Sequence, residues 1–216
     1  MQKQIKTKLA FFMFLQYFIW GSWYVSMATY LGKTLGFEGG QIGAAYGAFA
    51  IGAMISPFFV GLIADRYFAS EKLLAVLGIA GGAVLCWLPR LHDFASFYPA
   101  LILYCALYVP TLALGNSLSL HHLENPKTDF PRVKMLSAVG WIAGVATLNQ
   151  LHGAESPIQF YLAGGASIAF GLFALTLPHT PPMKTGANVS IGEILGLDAL
   201  ALLKKPSFAI DRKSVV

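Results

Sequence analysis

The side chains able to recognise a ligand in this chain sit inside apolar surroundings. In FLQYFIWGSW, Phe14 to Trp23, a glutamine, two tryptophans and a serine interrupt a hydrophobic run. Gln16, Trp20 and Trp23 recur at i, i+4 and i+7, one face of a helix. On such a face indole rings stack on a flat ligand while the amide reads its polar edge. The other reading is a hydrogen-bonded patch tying helices together. A second stretch, YVPTLALGNSLS, carries Tyr108, Thr111, Asn116, Ser117 and Ser119. Serine and threonine can return their hydroxyls to the helix backbone, so Asn116 is the most informative, as substrate contact or as interhelical glue. In KTDFPRVKMLSAVGW, Lys134 precedes Trp141 by seven residues and shares its face. That lysine either snorkels to water or lines a cavity with its cation.

Other chemistry is poorly provided for. The acids Glu38, Asp65, Glu71, Asp93, Glu124, Asp129 and Glu155 fall between the apolar stretches, and Glu193, Asp198 and Asp211 follow them. The pair His121–His122 with Glu124 imitates a metal site, but adjacent histidines do not share a helix face. Cys86 and Cys105 lie in separate apolar segments without CxxC spacing and read as small buried hydrophobes. No catalytic residues, metal ligands or cofactor are expected, and the chain does not read as an enzyme.

Composition says what positions these residues. Of 216 residues 56% are hydrophobic and 12% charged, against about 25% charged in soluble domains. Six stretches reach the roughly 20 apolar residues that a membrane helix needs: 9–31, 41–63, 73–90, 97–119, 134–152 and 158–178. The fold class expected is an all-α membrane protein with six transmembrane helices. The first apolar run is too long for a cleavable signal peptide and lacks a small-residue cleavage site. Lys3, Lys6, Lys8, Arg66, Lys72, Lys127, Arg132, Lys134, Lys184, Lys204 and Lys205 fall on one side, and only Lys33 and Arg90 on the other. By the positive-inside rule both termini are cytoplasmic, in the cell (inner) membrane. The formal charge of +5 is then a topology signal, which argues against nucleic acid as a partner.

Glycines recur every four residues at Gly39, Gly43 and Gly47, at Gly78 and Gly82, and at Gly140 and Gly144. This spacing lets helix backbones approach closely, within one chain or across a dimer. Pro57 and Pro110 imply kinks in the second and fourth stretches. Beyond the sixth, Ser190 and Glu193 form a capping box. The segment 179–210 reads as a cytoplasmic linker whose helix at about 190–205 lies along the membrane surface. The last six residues, DRKSVV (211–216), read as the translation of a sequencing adapter.

Between the second and third stretches, GLIADRYFASEK places Gly61, Asp65 and Arg66 as G-x-x-x-D-R. After the second of six spans this resembles the signature loop of the major facilitator superfamily. FLQYFIWGSW, YVPTLAL, KTDFPRVK, LTLPHTPP and GEILGLDALALLKK narrow the likeness to its nucleoside:proton symporter branch, the bacterial nucleoside permeases. The resemblance covers about residues 8 to 210 and implies the amino-terminal half of a twelve-span transporter working by alternating access, with the carboxy-terminal half missing. It implies a nucleoside or similar small polar molecule as substrate, a lipid bilayer around it, a proton as coupling ion and no other cofactor. Gln16, Trp20, Trp23, Asn116, Lys134 and Trp141 would line the substrate cavity, and Gly61, Asp65 and Arg66 would serve the cytoplasmic gate. The family's arginine and hydroxyl residue at the head of span five are here Lys134 and Ala138, and its phenylalanine is Trp141. Those departures leave room for another small polar ring compound or sugar. A complete six-span scaffold or receptor-like protein is the alternative from a different class.

Overall fold

The computed structural model describes residues 2–58 and 68–181. Gly61, Asp65 and Arg66, the surface helix expected at 190–205 and the tail 211–216 lie outside the described residues. Those described form helices throughout: α1 Gln2–Trp23, the short α2 Met27–Thr29, a π-helical turn Tyr30–Thr34, α3 Gly39–Phe58, α4 Ser70–Trp87, α5 Phe94–His122, α6 Pro126–Gln150 and α7 Ile158–Ala174. Two 3-10 turns, Leu88–Arg90 and Gly153–Glu155, follow α4 and α6.

Several helices extend past their apolar stretches, because lysine and other straight polar residues carry helix as readily as leucine does. The helix of the first stretch begins at Gln2 and stops at Trp23. A turn, α2 and the π-helical turn then lead to Gly36, whose φ of 71° is the left-handed conformation that ends helical segments. In α6 the start is Pro126, a residue suited to a first helical position. Asp129 lies inside α6 rather than at its cap and pairs with Lys6 of α1 at 2.8 Å. Asp93 does cap a helix: its carboxylate accepts the Ser96 N–H at 2.9 Å at the head of α5. α5 continues through Pro99 and Pro110.

The principal packing partners are α1 with α6, α4 with α7, and α3 with α5; α1 also meets α7, and α4 meets α5. Glycine sets the closest of these approaches. A Cβ on Gly140 would overlap the Phe14 carbonyl, and one on Gly144 would lie 2.5 Å from the Phe18 carbonyl oxygen. Across α4 and α7, Gly82 faces the Gly164 carbonyl at 2.7 Å and Gly78 faces Gly171 Cα at 2.9 Å, on the same reckoning. The chain leaving α7 then straps the head of α4. Glu71 accepts from the Thr180 N–H at 3.0 Å and bonds His179 Nδ1 at 2.8 Å, while the Ser70 N–H donates to the Thr180 carbonyl at 3.1 Å.

Two segments among the described residues are long and apolar enough to cross a membrane, Ser70–Arg90 and Phe94–His122, with mean hydropathy 1.8 and 1.7. The shorter Ile158–Ala174 is also apolar. Helices α1 and α6 begin with charged turns, at Lys3, Lys6 and Lys8 and at Lys127, Asp129 and Arg132.

Candidate functional site

The three polar and aromatic residues of α1 take different surroundings. Gln16 is wholly buried. Its amide donates to the Thr111 carbonyl at 2.8 Å and lies 3.2 Å from the Thr111 hydroxyl, while Tyr108 donates its hydroxyl to the Gln16 carbonyl at 2.7 Å. These bonds fasten α1 to α5 beside Pro110, where Gly115 leaves room for the glutamine. Trp23 is also enclosed, edge-on to Tyr104 at 5.4 Å and near Phe160 of α7. Trp20 alone of the three is half-buried.

Trp20 is the hub of an aromatic cluster built from four helices. It stacks on Phe49 of α3 with ring centres 4.7 Å apart and planes 3° from parallel. Trp141 of α6 meets it edge-on at 5.1 Å, and Tyr108 of α5 at 6.4 Å. Tyr17, one turn earlier on α1, and Tyr24, in the turn just past its end, complete the cluster at 5.9 and 5.6 Å. Such geometries add to the area they bury and hold the rings as a stiff surface. Among the described residues the Trp20 indole N–H has no acceptor.

A polar corner adjoins this cluster. Lys134 donates from Nζ to the Tyr17 hydroxyl at 2.9 Å and to Asn116 Oδ1 at 3.0 Å. The ammonium lies 4.6 Å from the centre of the Tyr17 ring, within reach of a cation–π contact. The ion pairs among the described residues are Lys6–Asp129, Lys33–Glu155 and Glu71–His179, so no carboxylate neutralises Lys134 there. Trp20, Tyr17, Asn116, Lys134 and Trp141 are all half-buried, and Ala138, one turn beyond Lys134, is exposed. The arrangement is a wall, with aromatic faces beside a cation and an amide.

Sequence reasoning therefore named four residues that meet here, Trp20, Asn116, Lys134 and Trp141, and two that sit behind them, Gln16 and Trp23. It missed Tyr17, Tyr24 and Phe49. The first two were legible: at i−3 and i+4 from Trp20 they share its face. Phe49 carries no signal of its own, because its role comes from how α3 lies against α1. Cavities of about 560 and 270 Å³ open elsewhere, at the start of α1, the first lined by Lys3, Gln4, Thr7 and Lys8. The second shares Lys3 and Thr7 and is otherwise lined by Lys6, Ala10, Asp129, Arg132 and Val133. Neither contains an aromatic residue, and both are open surface hollows.

The family model for nucleoside H+ symporters matches residues 3–211. The chain belongs to the nucleoside:H+ symporter family. Among curated proteins of Escherichia coli (strain K12), YegT is 41% identical over 94% of this chain. The xanthosine permease is 35% identical and the nucleoside permease NupG 34% identical, each over 95% of the chain. A crystal structure of NupG superposes with a TM-score of 0.84 at 32% identity, covering 95% of this chain and 52% of that one. The chain spans about half the length of the curated relatives it matches, 49–50% of each, and corresponds to the amino-terminal half of a symporter of this family.

Proposed function

We propose that the chain supplies one of the two walls of a proton-coupled nucleoside transporter that works by alternating access. The observation that carries the reading is the half-buried corner of Trp20, Trp141, Asn116 and Lys134. It offers a stacking surface for a flat base and polar groups for its edge, and it belongs to a family of nucleoside H+ symporters. Gln16 and Trp23 back this wall by fixing α1 against α5 and α7. All six apolar stretches cross the inner membrane, with both termini cytoplasmic, and the wall lies between the halves near mid-membrane. Gly61, Asp65 and Arg66 belong to the cytoplasmic gate. A carboxylate of the second half carries the coupled proton, in keeping with apolar stretches here that lack Asp and Glu. A single wall cannot alternate access, so this half transports nothing alone.

The direct test is uptake of labelled uridine by the full-length transporter containing this half, expressed in cells lacking other nucleoside permeases. Accumulation that collapses with the proton gradient is expected. If no nucleoside enters in a proton-dependent way, the assignment fails. Lys134 and Ala138, where the family has an arginine and a hydroxyl residue, favour a second substrate reading, another small polar ring compound. Competition of uridine uptake by such compounds separates the two.

A further inference from the structure

The corner around Lys134 has used its acceptors and kept its donors. An ammonium carries three N–H donors and no acceptor, and two of the three go to Tyr17 Oη and Asn116 Oδ1. Because Nζ can only donate, the Asn116 amide must turn its oxygen toward the lysine, which points its NH₂ group elsewhere. The Tyr17 oxygen likewise accepts, so its own proton is free. Among the described residues nothing accepts from the Tyr17 O–H, from the Asn116 NH₂ or from the third Lys134 N–H. Tyr17, Asn116 and Lys134 are half-buried, so the corner is open to contact from outside the packed helices. No carboxylate shares the site among the described residues. Three donor groups, with four hydrogens between them, and a net positive charge are therefore available to a ligand together.

We infer that this corner reads C4 of a pyrimidine or C6 of a purine and selects nucleosides with a carbonyl oxygen there, as in uridine, inosine and xanthosine, over those with an amino group there, as in cytidine and adenosine. Tyr17 is the residue that sets the preference. A carbonyl accepts from this corner, whereas an exocyclic amino group would meet donors with a donor and leave both unpaired in a dry site. A site built to form a hydrogen bond discriminates strongly against an analogue that cannot complete it. Ribose hydroxyls both donate and accept, so they bind without altering the preference. Tyr17 acts twice: its oxygen holds the ammonium, and its free proton meets the ligand. The inference rests on the nucleoside reading and names the class of base within it.

The test compares transport of uridine with cytidine, and of inosine with adenosine, by the full-length transporter under one proton gradient. The keto member of each pair is expected to have the larger kcat/KM, by about tenfold, the scale of one unpaired buried donor. Tyr17→Phe keeps the ring and removes the hydroxyl; uridine KM should rise severalfold while cytidine transport changes little, so the preference falls toward parity. Asn116→Asp replaces the NH₂ donor with an acceptor and neutralises the corner, and should move the preference toward cytidine and adenosine. A gel-filtration profile in detergent reports whether each variant folds. If Tyr17→Phe does not fold, Asn116→Asp and the wild-type ratios decide. Equal transport of keto and amino nucleosides by the wild type overturns the inference and leaves the nucleoside reading standing. So does a folded variant that scales both members of a pair alike. Transport of no nucleoside at all overturns both.

Discussion

Helices α3 and α6 both carry glycines four residues apart, and they use them in opposite ways. On α6, Gly140 and Gly144 lie directly against the α1 backbone at Phe14 and Phe18. On α3, a Cβ added at Gly39, Gly43 or Gly47 would meet no atom of the described residues within 4 Å. The contrast recurs within α3 itself. Gly52 stands nine residues after Gly43, about half a turn around the helix, and is pressed on Cys105 of α5, with the Cys105 carbonyl oxygen 2.7 Å from an added Cβ. Spacing of small residues thus identifies a face that permits close approach. Which such face is filled depends on the neighbours the fold supplies.

The sharpest way to break this comparison is Gly140→Ala. Its methyl would overlap the Phe14 carbonyl, an atom of helix backbone that cannot rotate aside, so α1 and α6 must separate. The expected loss exceeds about 3 kcal/mol, above the usual range for overpacking. A thermal melt of the purified protein in detergent reads it; an unchanged melting temperature would mean that α1 and α6 are not in contact as described. Gly52→Ala should follow, with a loss of about 1–3 kcal/mol. Its nearest obstacles are the Cys105 carbonyl oxygen, carbonyl carbon and Cβ at 2.7, 2.8 and 2.9 Å, atoms that alanine keeps, so Cys105→Ala in the same protein should not recover the loss. Recovery would assign the effect to the Cys105 sulfur instead.

The same comparison shows how much of the molecule was legible in advance. Helices in number and order follow from hydropathy, and the positions of Trp20 and Trp141 follow from helical spacing. Helix ends do not, because charged first turns such as Lys3 to Lys8 and Lys127 to Arg132 are good helix but poor membrane solvent, and apolarity alone overlooks them. The polar face of α1 was read as one surface, yet Gln16 went to bonds with α5 and Trp23 to an enclosed aromatic contact. A face of that width meets more than one neighbour, and sequence periodicity does not say where one neighbour ends. Phe49 and the pairing of Lys134 with Tyr17 were hidden for a similar reason. They join residues 29 and 117 positions apart only through packing, and the distances that matter, such as Lys134 Nζ to Tyr17 Oη at 2.9 Å, are set by three helices at once.

Gly36 separates space from backbone. No atom of the described residues lies within 4 Å of an added Cβ there, yet its φ is +71°. Gly36→Ala meets no clash and still forces an L-residue into the left-handed region, at about 1–2 kcal/mol. If the melt showed no loss, the turn between the π-helical segment and α3 would have to adopt another path.

Gly43→Ala carries the smallest effect and the opposite sign. The residue lies inside α3, its surroundings are open, and alanine is the better helix former by about 0.8–1.0 kcal/mol in a helix interior. The half should therefore melt slightly higher with alanine at 43, while the same change at 52 on the same helix lowers the melt. Because both substitutions add one methyl to one helix, propensity and membrane environment nearly cancel between them, and the difference in melting temperature reports the neighbour alone. A loss at position 43 equal to that at 52 would mean that the open glycine face is already occupied in solution.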